Sequence, residues 1–157
     1  MRKTTRPAAR AAAAPSAGPR FSPSPDAALA KLPFSEAVRV GDLLFVSGQI
    51  GAAAGTGVPV PGGIGAESRQ ALENVKAILG RHGTSMDRVV KFTVFLADMR
   101  EWPAFNDVYR SFFAGRYPAR SALGASGLAR GARVEVECVA WVPPGPRSRP
   151  RGRKAAP

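Results

Sequence analysis

An arginine in an apolar loop and a glutamate on an alternating strand are the side chains of this sequence best suited to chemistry. Arg120 lies in YPARSALG, and Glu135 follows it by fifteen positions in VEVE. A planar guanidinium can bind a carboxylate through two parallel hydrogen bonds, which lysine does not reproduce. A carboxylate beside a water molecule can act as a general base. The residue types therefore suggest carboxylate recognition and water activation, although spacing alone favours an ordinary ion pair between Arg120 and Glu135.

The other reactive residues favour structural roles. His82, the single histidine, falls near the end of a predicted helix, where a positive group interacts favourably with the helix dipole. Cys138, the single cysteine, falls on the apolar side of a predicted strand, which favours core packing over nucleophilic chemistry. The glycines of 62–65 lack the lysine of a phosphate-binding loop and indicate a flexible loop. The sequence shows no metal-ligand cluster, and neither a metal nor an organic cofactor is expected.

Strands and helices alternate through the middle of the chain. Runs of apolar, β-branched residues indicate strands, and apolar residues three and four positions apart indicate helices. In the second predicted helix the residues at this spacing are Trp102, Phe105, Tyr109 and Phe112. Gly41-Asp42 is a hairpin signal, and the glycine-rich segment 51–65 is predicted to be a loop. The predicted elements are, in chain order, a strand at Ala37–Val40, a strand at Leu43–Ile50, a helix over 66–83, a strand at Val89–Leu96, a helix over 100–115, a short strand at 121–123 and a strand over 133–142.

This order, ββαβαββ, predicts an α+β fold in which two helices cover one face of a sheet. The last strand alternates strictly, so its even-numbered apolar residues would face the helices. Its odd-numbered residues would face the other side and include Val139 and Trp141. An open sheet face with large apolar side chains needs cover, and oligomerisation is the simplest way to provide it.

The net charge of +12 is concentrated at the two ends of the chain. Residues 1–32 carry six basic side chains and one acid, and residues 144–157 carry five basic side chains and no acid. Both segments are rich in Ala, Pro, Arg, Ser and Gly and poor in large apolar side chains, so both are predicted to be disordered. The folded domain is expected to span 33–143 and to be nearly neutral, which argues against a nucleic-acid-binding core.

The sequence predicts neither a membrane-spanning nor a secretory segment. The apolar run AAAA at 11–14 is too short for a signal peptide, and no stretch approaches the roughly 20 apolar residues of a membrane helix. A single cysteine excludes an intramolecular disulfide and suits a reducing compartment. We expect a cytoplasmic protein, with organelle targeting by the Arg- and Ala-rich N-terminal extension as the alternative.

Six segments, taken together, resemble the reactive intermediate deaminase family, also called Rid or YjgF-like. They are VSGQI at 46–50, RQALENVKAIL at 69–79, VVKFTVFLADM at 89–99, FNDVY at 105–109, YPARSA at 117–122 and VEVECVA at 134–140. The matching region covers about 34–142 in the order and spacing typical of the family, and both basic ends lie outside it.

The resemblance implies a chorismate-mutase-like α+β fold and a homotrimer with active sites between subunits. It also implies hydrolysis of 2-imino or 2-enamino acids, released by pyridoxal-phosphate enzymes, to 2-oxo acids and ammonia without a cofactor. By position, Arg120 matches the arginine that holds the substrate carboxylate, and Glu135 matches the glutamate that orients the attacking water. Ser47 and Gly48 match a strand-end pair that lines the pocket, and Asn106 matches an asparagine in its wall.

Three positions depart from the family pattern. Phe34 stands where many members have tyrosine, Glu36 where many have glutamine, and Ala122 where the best-known enzymes have cysteine. The loss of a hydroxyl at Phe34 and a thiol at Ala122 bears on substrate range more than on the reaction. Two other functions remain open: RNA binding or cleavage, which some relatives carry as a label and the basic ends would assist, and a non-catalytic small-molecule-binding trimer.

Overall fold

The structure, a computed structural model, describes residues 18–144, which form six strands and two α-helices. The strands are β1 (Arg20–Ser22), β2 (Ala37–Val40), β3 (Leu43–Ile50), β4 (Val89–Leu96), β5 (Ala119–Gly124) and β6 (Val134–Trp141). The helices are α1 (Gly63–Arg81) and α2 (Trp102–Arg110). The predicted order of strands and helices is confirmed, with β1 added at the start.

All six strands belong to one sheet, in the order β1-β2-β3-β6-β4-β5. Neighbouring strands are antiparallel except for β4 and β5, which are parallel. The connection from β4 to β5 passes through α2, as a parallel crossover requires. This crossover makes β5 an edge strand beside α2, and β5 carries Arg120.

Helix α1 forms because its apolar residues recur at helical spacing and pack against β3 and β6. The residues of this stripe are fully or almost fully buried: Leu72, Val75, Ile78 and Leu79. The helix begins at Gly63, three residues before the predicted start, because Ile64 packs against the core although it lies among glycines. No helix within residues 18–144 has both the length and the apolar composition needed to cross a membrane.

Helix α2 is shorter than predicted. The Asp98 side chain accepts a hydrogen bond from the Arg100 amide at 2.9 Å and caps the 3-10 turn Met99–Glu101, which leads into the helix. Residues 111–113 do not continue the helix, because their amides donate to carbonyls three residues back. The Tyr109 ring packs edge-on against the Phe92 ring of β4, with 5.7 Å between the ring centroids. This contact fixes α2 above the edge of the sheet.

The face of the sheet opposite the helices is open and partly apolar. On β6 the even-numbered residues are buried, whereas Trp141 is 42% exposed and Val139 is half-buried, as the alternation predicts. Phe45 of β3 lies directly across from Val139 and is 44% exposed. Side chains that are paired in register point to the same face of a sheet, so these residues form one apolar surface.

The predicted N-terminal boundary at residue 33 is wrong. Strand β1 lies within the segment 1–32 that was predicted to be disordered, and it pairs with β2 from Arg20↔Arg39 to Ser22↔Ala37. The large apolar residue of β1, Phe21, is 69% exposed, so the strand is held by backbone pairing and not by apolar burial. A strand of this kind leaves no apolar pattern in the sequence. The segment after β1 is also described and contains a 3-10 turn at Leu29–Lys31. Residues 1–17 and 145–157 of the predicted disordered ends lie outside the described residues.

Candidate active site

Arg120 projects towards the helices from the edge strand β5. It is in register with Phe92, whose side chain is fully buried under the helices. The Arg120 guanidinium carbon lies 4.6 Å from the centroid of the Tyr109 ring and 5.8 Å from that of Phe105. Both distances are within the range of a cation–π contact. Two aromatic side chains of α2 therefore support the guanidinium from beneath, and we call Phe105 and Tyr109 the aromatic support.

None of the ion pairs found among residues 18–144 involves Arg120. The ordinary ion pair with Glu135, which the spacing favoured, is therefore not formed. A guanidinium is a strong, bidentate donor for a carboxylate, and aromatic faces leave its N–H groups without acceptors. The charge of Arg120 is thus available to an anionic ligand.

A cleft of about 240 Å³ lies next to Arg120, between β5 and α2. Its walls are formed by Asn106, Tyr109, Arg110, Tyr117, Pro118 and Arg120. No acidic side chain is among them. Ala122 follows Arg120 on the same side of β5 and packs partly against the core. We call Arg120, Asn106 and Ala122 the arginine half-site.

Glu135 lies on the other face of the sheet. Its neighbours along β6, Val134 and Val136, are fully buried under the helices, so Glu135 points to the open face. The carboxyl group is half-buried. This burial, assisted by the nearby carboxylate of Glu137, raises the pKa of Glu135 above the usual value for a glutamate. A raised pKa increases the basicity of the carboxylate, as a general base requires.

A β-bulge in β3 brings Gly48 against the Glu135 side chain, and Ser47 precedes Gly48 in the bulge. The register between β3 and β6 shifts between Val46 and Gln49, and Ser47 and Gly48 lie within this shift. The Ser47 hydroxyl donates to the Ser35 carbonyl at 2.7 Å, which ties the bulge to the segment that begins at Phe34. Phe34 itself is 53% exposed. We call Phe34, Ser47, Gly48 and Glu135 the glutamate half-site.

Within one chain the two half-sites lie on opposite faces of the sheet. The structure groups Arg120 with Asn106, and it places Gly48, with Ser47 next to it in the chain, against Glu135, but it does not bring the two groups together. A single chain therefore presents the two groups on separate surfaces. Of the aromatic residues that recur at helical spacing, Phe105 and Tyr109 are buried whereas Trp102 is 42% exposed. The spacing did not reveal that the two buried rings also support Arg120.

The departure from the family pattern at Glu36 has a structural explanation. The Glu36 carboxylate is buried and accepts a hydrogen bond from the Arg81 guanidinium of α1 at 2.7 Å. This pair connects the start of β2 to the end of α1. His82, the next residue, is partly buried, and burial lowers its pKa despite the nearby Glu36 carboxylate. The predicted stabilisation of a charged His82 by the helix dipole is therefore outweighed by burial.

Cys138 fills the core between the sheet and the helices. The side chain is buried, and this burial raises the pKa of its thiol to about 12. The thiol therefore stays protonated at neutral pH and is a poor nucleophile, in agreement with the structural role that the sequence favours.

We predict that Gly48→Ala lowers activity much more than it lowers stability. An added Cβ would overlap the Oε1 atom of Glu135, the flexible end of a side chain, so the carboxylate must move while the backbone stays in place. Displacement of a catalytic group by about 1 Å can cost up to about a hundredfold in rate. We expect kcat/KM to fall at least about tenfold and the Tm to change by only a few degrees.

Two matched substitutions test this interpretation of Gly48. Gly65→Ala, which meets no atom within 4 Å, should preserve activity and stability. In Gly51→Ala the new Cβ would overlap backbone atoms of Glu67, so stability should fall clearly, by about 1–3 kcal/mol. Full activity of Gly48→Ala would mean that the position of the Glu135 carboxylate is unimportant.

The fold and the two half-sites together define a small α+β domain. It has a mixed sheet, two helices that cover one face of the sheet, and a cleft at the edge strand that can accept an anion. The sequence profile of the endoribonuclease L-PSP family matches residues 25–142. The chain belongs to this family, which comprises the reactive intermediate deaminase or YjgF-like proteins expected from its motifs.

Individual relatives agree with this assignment. The 2-iminobutanoate/2-iminopropanoate deaminase of Mus musculus is 44% identical over 108 residues, which are 69% of this chain and 80% of that protein. A solved structure from Yersinia pestis, of the conserved Rid protein family, has a TM-score of 0.74 at 36% identity and covers 80% of this chain and 100% of its own. The structure of RidA from an Antarctic Psychrobacter species has a TM-score of 0.68 at 33% identity and covers 78% of this chain and 94% of its own.

Proposed function

We propose that this protein hydrolyses 2-imino acids, and the 2-enamino acids in equilibrium with them, to 2-oxo acids and ammonia. The observation that carries the proposal is the Arg120 guanidinium, which lies on an aromatic support in a cleft and has no ionic partner among residues 18–144. A substrate carboxylate matches this guanidinium in charge and geometry. The deaminase names of curated relatives at 41–44% identity support the reaction class.

The proposed reaction needs one water and a series of proton transfers through Glu135. Arg120 holds the carboxylate, and the Glu135 carboxylate accepts a proton from water as the oxygen attacks C2 of the imine. When the imine is protonated, the resulting carbon bears OH and NH₂ groups. The protonated Glu135 then returns its proton to the amino group, the C–N bond breaks and ammonia leaves. The hydroxyl group gives its own proton back to the Glu135 carboxylate as the C2–O bond becomes a carbonyl, and ammonia finally takes that proton and departs as ammonium. A protonated imine carbon is already electrophilic, so placing the water and the substrate can supply much of the acceleration.

The remaining residues of the two half-sites shape the pocket in this proposal. Asn106 forms part of the cleft wall, and Gly48 leaves room for the Glu135 carboxylate. Ser47 fixes the bulge through its bond to Ser35. Phe34 and Ala122 lack the hydroxyl and thiol of many relatives and would affect the choice of substrate side chain.

We further propose that the active unit is a homotrimer in which each site combines halves from two chains. The support is geometric, because Arg120 and Glu135 occupy opposite faces of one sheet and cannot act on the same substrate within one chain. Contacts between two different surfaces of identical chains close into a ring, and a three-membered ring would complete three sites. The apolar open face around Phe45, Val139 and Trp141 would be covered in such a ring.

Mixing two inactive variants tests the shared site directly. Arg120→Lys chains keep an intact glutamate half-site, and Glu135→Gln chains keep an intact arginine half-site. When the two are refolded together in equal amounts, random assembly should produce both halves intact at about one quarter of the sites. We expect about one quarter of wild-type activity, together with a mass of about three chains by light scattering. No recovery of activity, or a stable monomer, would contradict the shared site.

The reaction itself is tested with imines made in situ from L-alanine or L-2-aminobutanoate by an amino-acid oxidase. The protein should accelerate 2-oxo acid formation above the spontaneous rate, and the double variant Arg120→Lys/Glu135→Gln should not. Binding of a 2-oxo acid without acceleration would support the non-catalytic binding alternative and would overturn the proposed enzyme function.

RNA binding is the second candidate, because the family is named for an endoribonuclease and the chain carries a net charge of +12. Since the basic residues are concentrated at the ends, RNA affinity should fall steeply with salt and should reside in residues 1–17 and 145–157. RNA binding that persists in high salt after removal of both segments would favour this candidate over the deaminase.

A further inference from the structure

The lining of the cleft beside Arg120 includes a second arginine, Arg110, which the proposed reaction does not use. Arg110 and Asn106 are four residues apart on α2, so they lie on the same side of the helix, one turn from each other. Both line the cleft together with Arg120. An elongated ligand whose carboxylate is held by Arg120 would therefore meet a second positive group at the wall formed by α2.

The present partner of Arg110 can be exchanged at low cost. The Arg110 Nη1 atom lies 2.8 Å from the Asp107 Oδ1 atom, and the side chains of Arg110 and Asp107 are 63% and 75% exposed. Exposed pairs of this kind add little to stability, and many contribute nothing measurable. Asp107 is not among the residues that line the cleft, so the cleft wall itself carries two positive charges and no negative one.

The other walls of the cleft would tolerate a short carbon chain between two acidic groups. The rings of Tyr109 and Tyr117 lie 6.5 Å apart between centroids and are nearly parallel, with an interplanar angle of 21°. Together with Pro118 they contribute apolar surface to the same cleft that the two arginines line. A ligand with an acid at each end and methylene groups between them matches this pattern of charge and apolar surface.

We propose that Arg110 is a specificity-determining residue and that the preferred substrates are 2-imino dicarboxylic acids of four or five carbons. This inference rests on the proposed function. The α-carboxylate would bind Arg120, and the side-chain carboxylate would bind Arg110 in place of Asp107. Hydrolysis is balanced as for the simpler imines: one water is consumed, the C2–N double bond is replaced by a C2–O double bond, and ammonia leaves. The side-chain carboxylate takes no part in bond making.

The experiment compares two imines made in situ, one from L-alanine and one from L-aspartate or L-glutamate, each by a matching oxidase. For the wild-type protein, kcat/KM should be higher for the dicarboxylic imine. In Arg110→Ala the ratio of the two kcat/KM values should fall about tenfold, the effect of one charge-assisted hydrogen bond. Asp107→Asn, which releases Arg110 from its present partner, should raise the same ratio.

Arg116→Ala provides the matched control, because it removes the same charge from an exposed arginine outside the cleft lining. It should leave the ratio unchanged. A binding measurement gives a second readout: 2-oxoglutarate should bind the wild type more tightly than 2-oxobutanoate does, and Arg110→Ala should remove the difference.

The outcomes separate this inference from the proposed function. Acceleration of the alanine-derived imine with no preference for the dicarboxylic one, or an equal ratio in wild type and Arg110→Ala, would overturn the role of Arg110 and leave the deaminase intact. Failure to accelerate either imine would overturn the proposed function itself.

Discussion

Arg120→Lys should lower kcat/KM for 2-imino acids by about thirty- to a thousandfold. Lysine retains a positive charge but cannot donate two parallel hydrogen bonds to a carboxylate, and its compact ammonium group is more strongly hydrated. Loss of one partner of a hydrogen-bonded charge pair typically costs roughly 2–4 kcal/mol, which corresponds to that range. The measurement is the initial rate of 2-oxo acid formation at several imine concentrations, with the Kd of a 2-oxo acid determined in parallel.

Arg116→Lys is the control, since it makes the same exchange at an exposed position outside the cleft. It should leave the rate and the Tm unchanged. Because Arg120 contacts the aromatic support, the Tm of Arg120→Lys must be measured as well, and we expect a drop of only a few degrees. A wild-type rate in Arg120→Lys would show that the arginine is a structural residue and would remove the basis of the proposed mechanism.

Glu135→Gln should lower kcat by about a hundredfold or more, while the affinity for a 2-oxo acid changes little. The amide keeps the shape of the carboxylate but cannot accept a proton from water, and general-base catalysis contributes about 10²–10⁴-fold. The substitution leaves the carboxylate clamp at Arg120 unchanged, so turnover should fall while binding is retained. Equal losses of binding and turnover would instead indicate that Glu135 holds the substrate.

The pH dependence provides an independent test of Glu135. The base acts in its ionised form, so activity should fall as the pH decreases through the pKa of Glu135. Burial, and secondarily Glu137, raises that pKa. The acid limb of the pH–rate profile, where activity falls with decreasing pH, should therefore lie at higher pH than an ordinary glutamate would give. Glu137→Gln should move the limb to lower pH, because it removes a neighbouring negative charge. An acid limb that persists unchanged in Glu135→Gln would assign it to another group.

The elements that build the site could be predicted because each has a strong local signal. Alternation along β6 placed Glu135 and Trp141 on the face opposite the core, and helical spacing placed Phe105 and Tyr109 inside it. Both signals reflect burial, which repeats with a fixed period in sequence. The strand around Arg120 was predicted only as a short segment, because an edge strand with small residues has weak periodicity.

The features that escaped prediction depend on pairing across the fold. Strand β1 is held by backbone pairing with β2 while Phe21 remains exposed, so its composition resembles that of a disordered segment. The face on which Arg120 lies, opposite that of Glu135, follows from the register of β5 with β4, which no local pattern encodes. Likewise, the placement of Arg110 in the cleft requires α2 to pack against the sheet edge through Tyr109 and Phe92.

The aromatic support beneath Arg120 has a consequence for the entropy of binding. A free arginine side chain loses up to about 2 kcal/mol of rotational freedom when a ligand fixes it. In this protein the guanidinium already lies on the rings of Phe105 and Tyr109, and Tyr109 is held in turn by the buried Phe92. Much of that ordering therefore takes place when the chain folds rather than when the substrate arrives. The clamp is preorganised, and even a substrate of a few atoms can gain from the full strength of the charge-assisted contact.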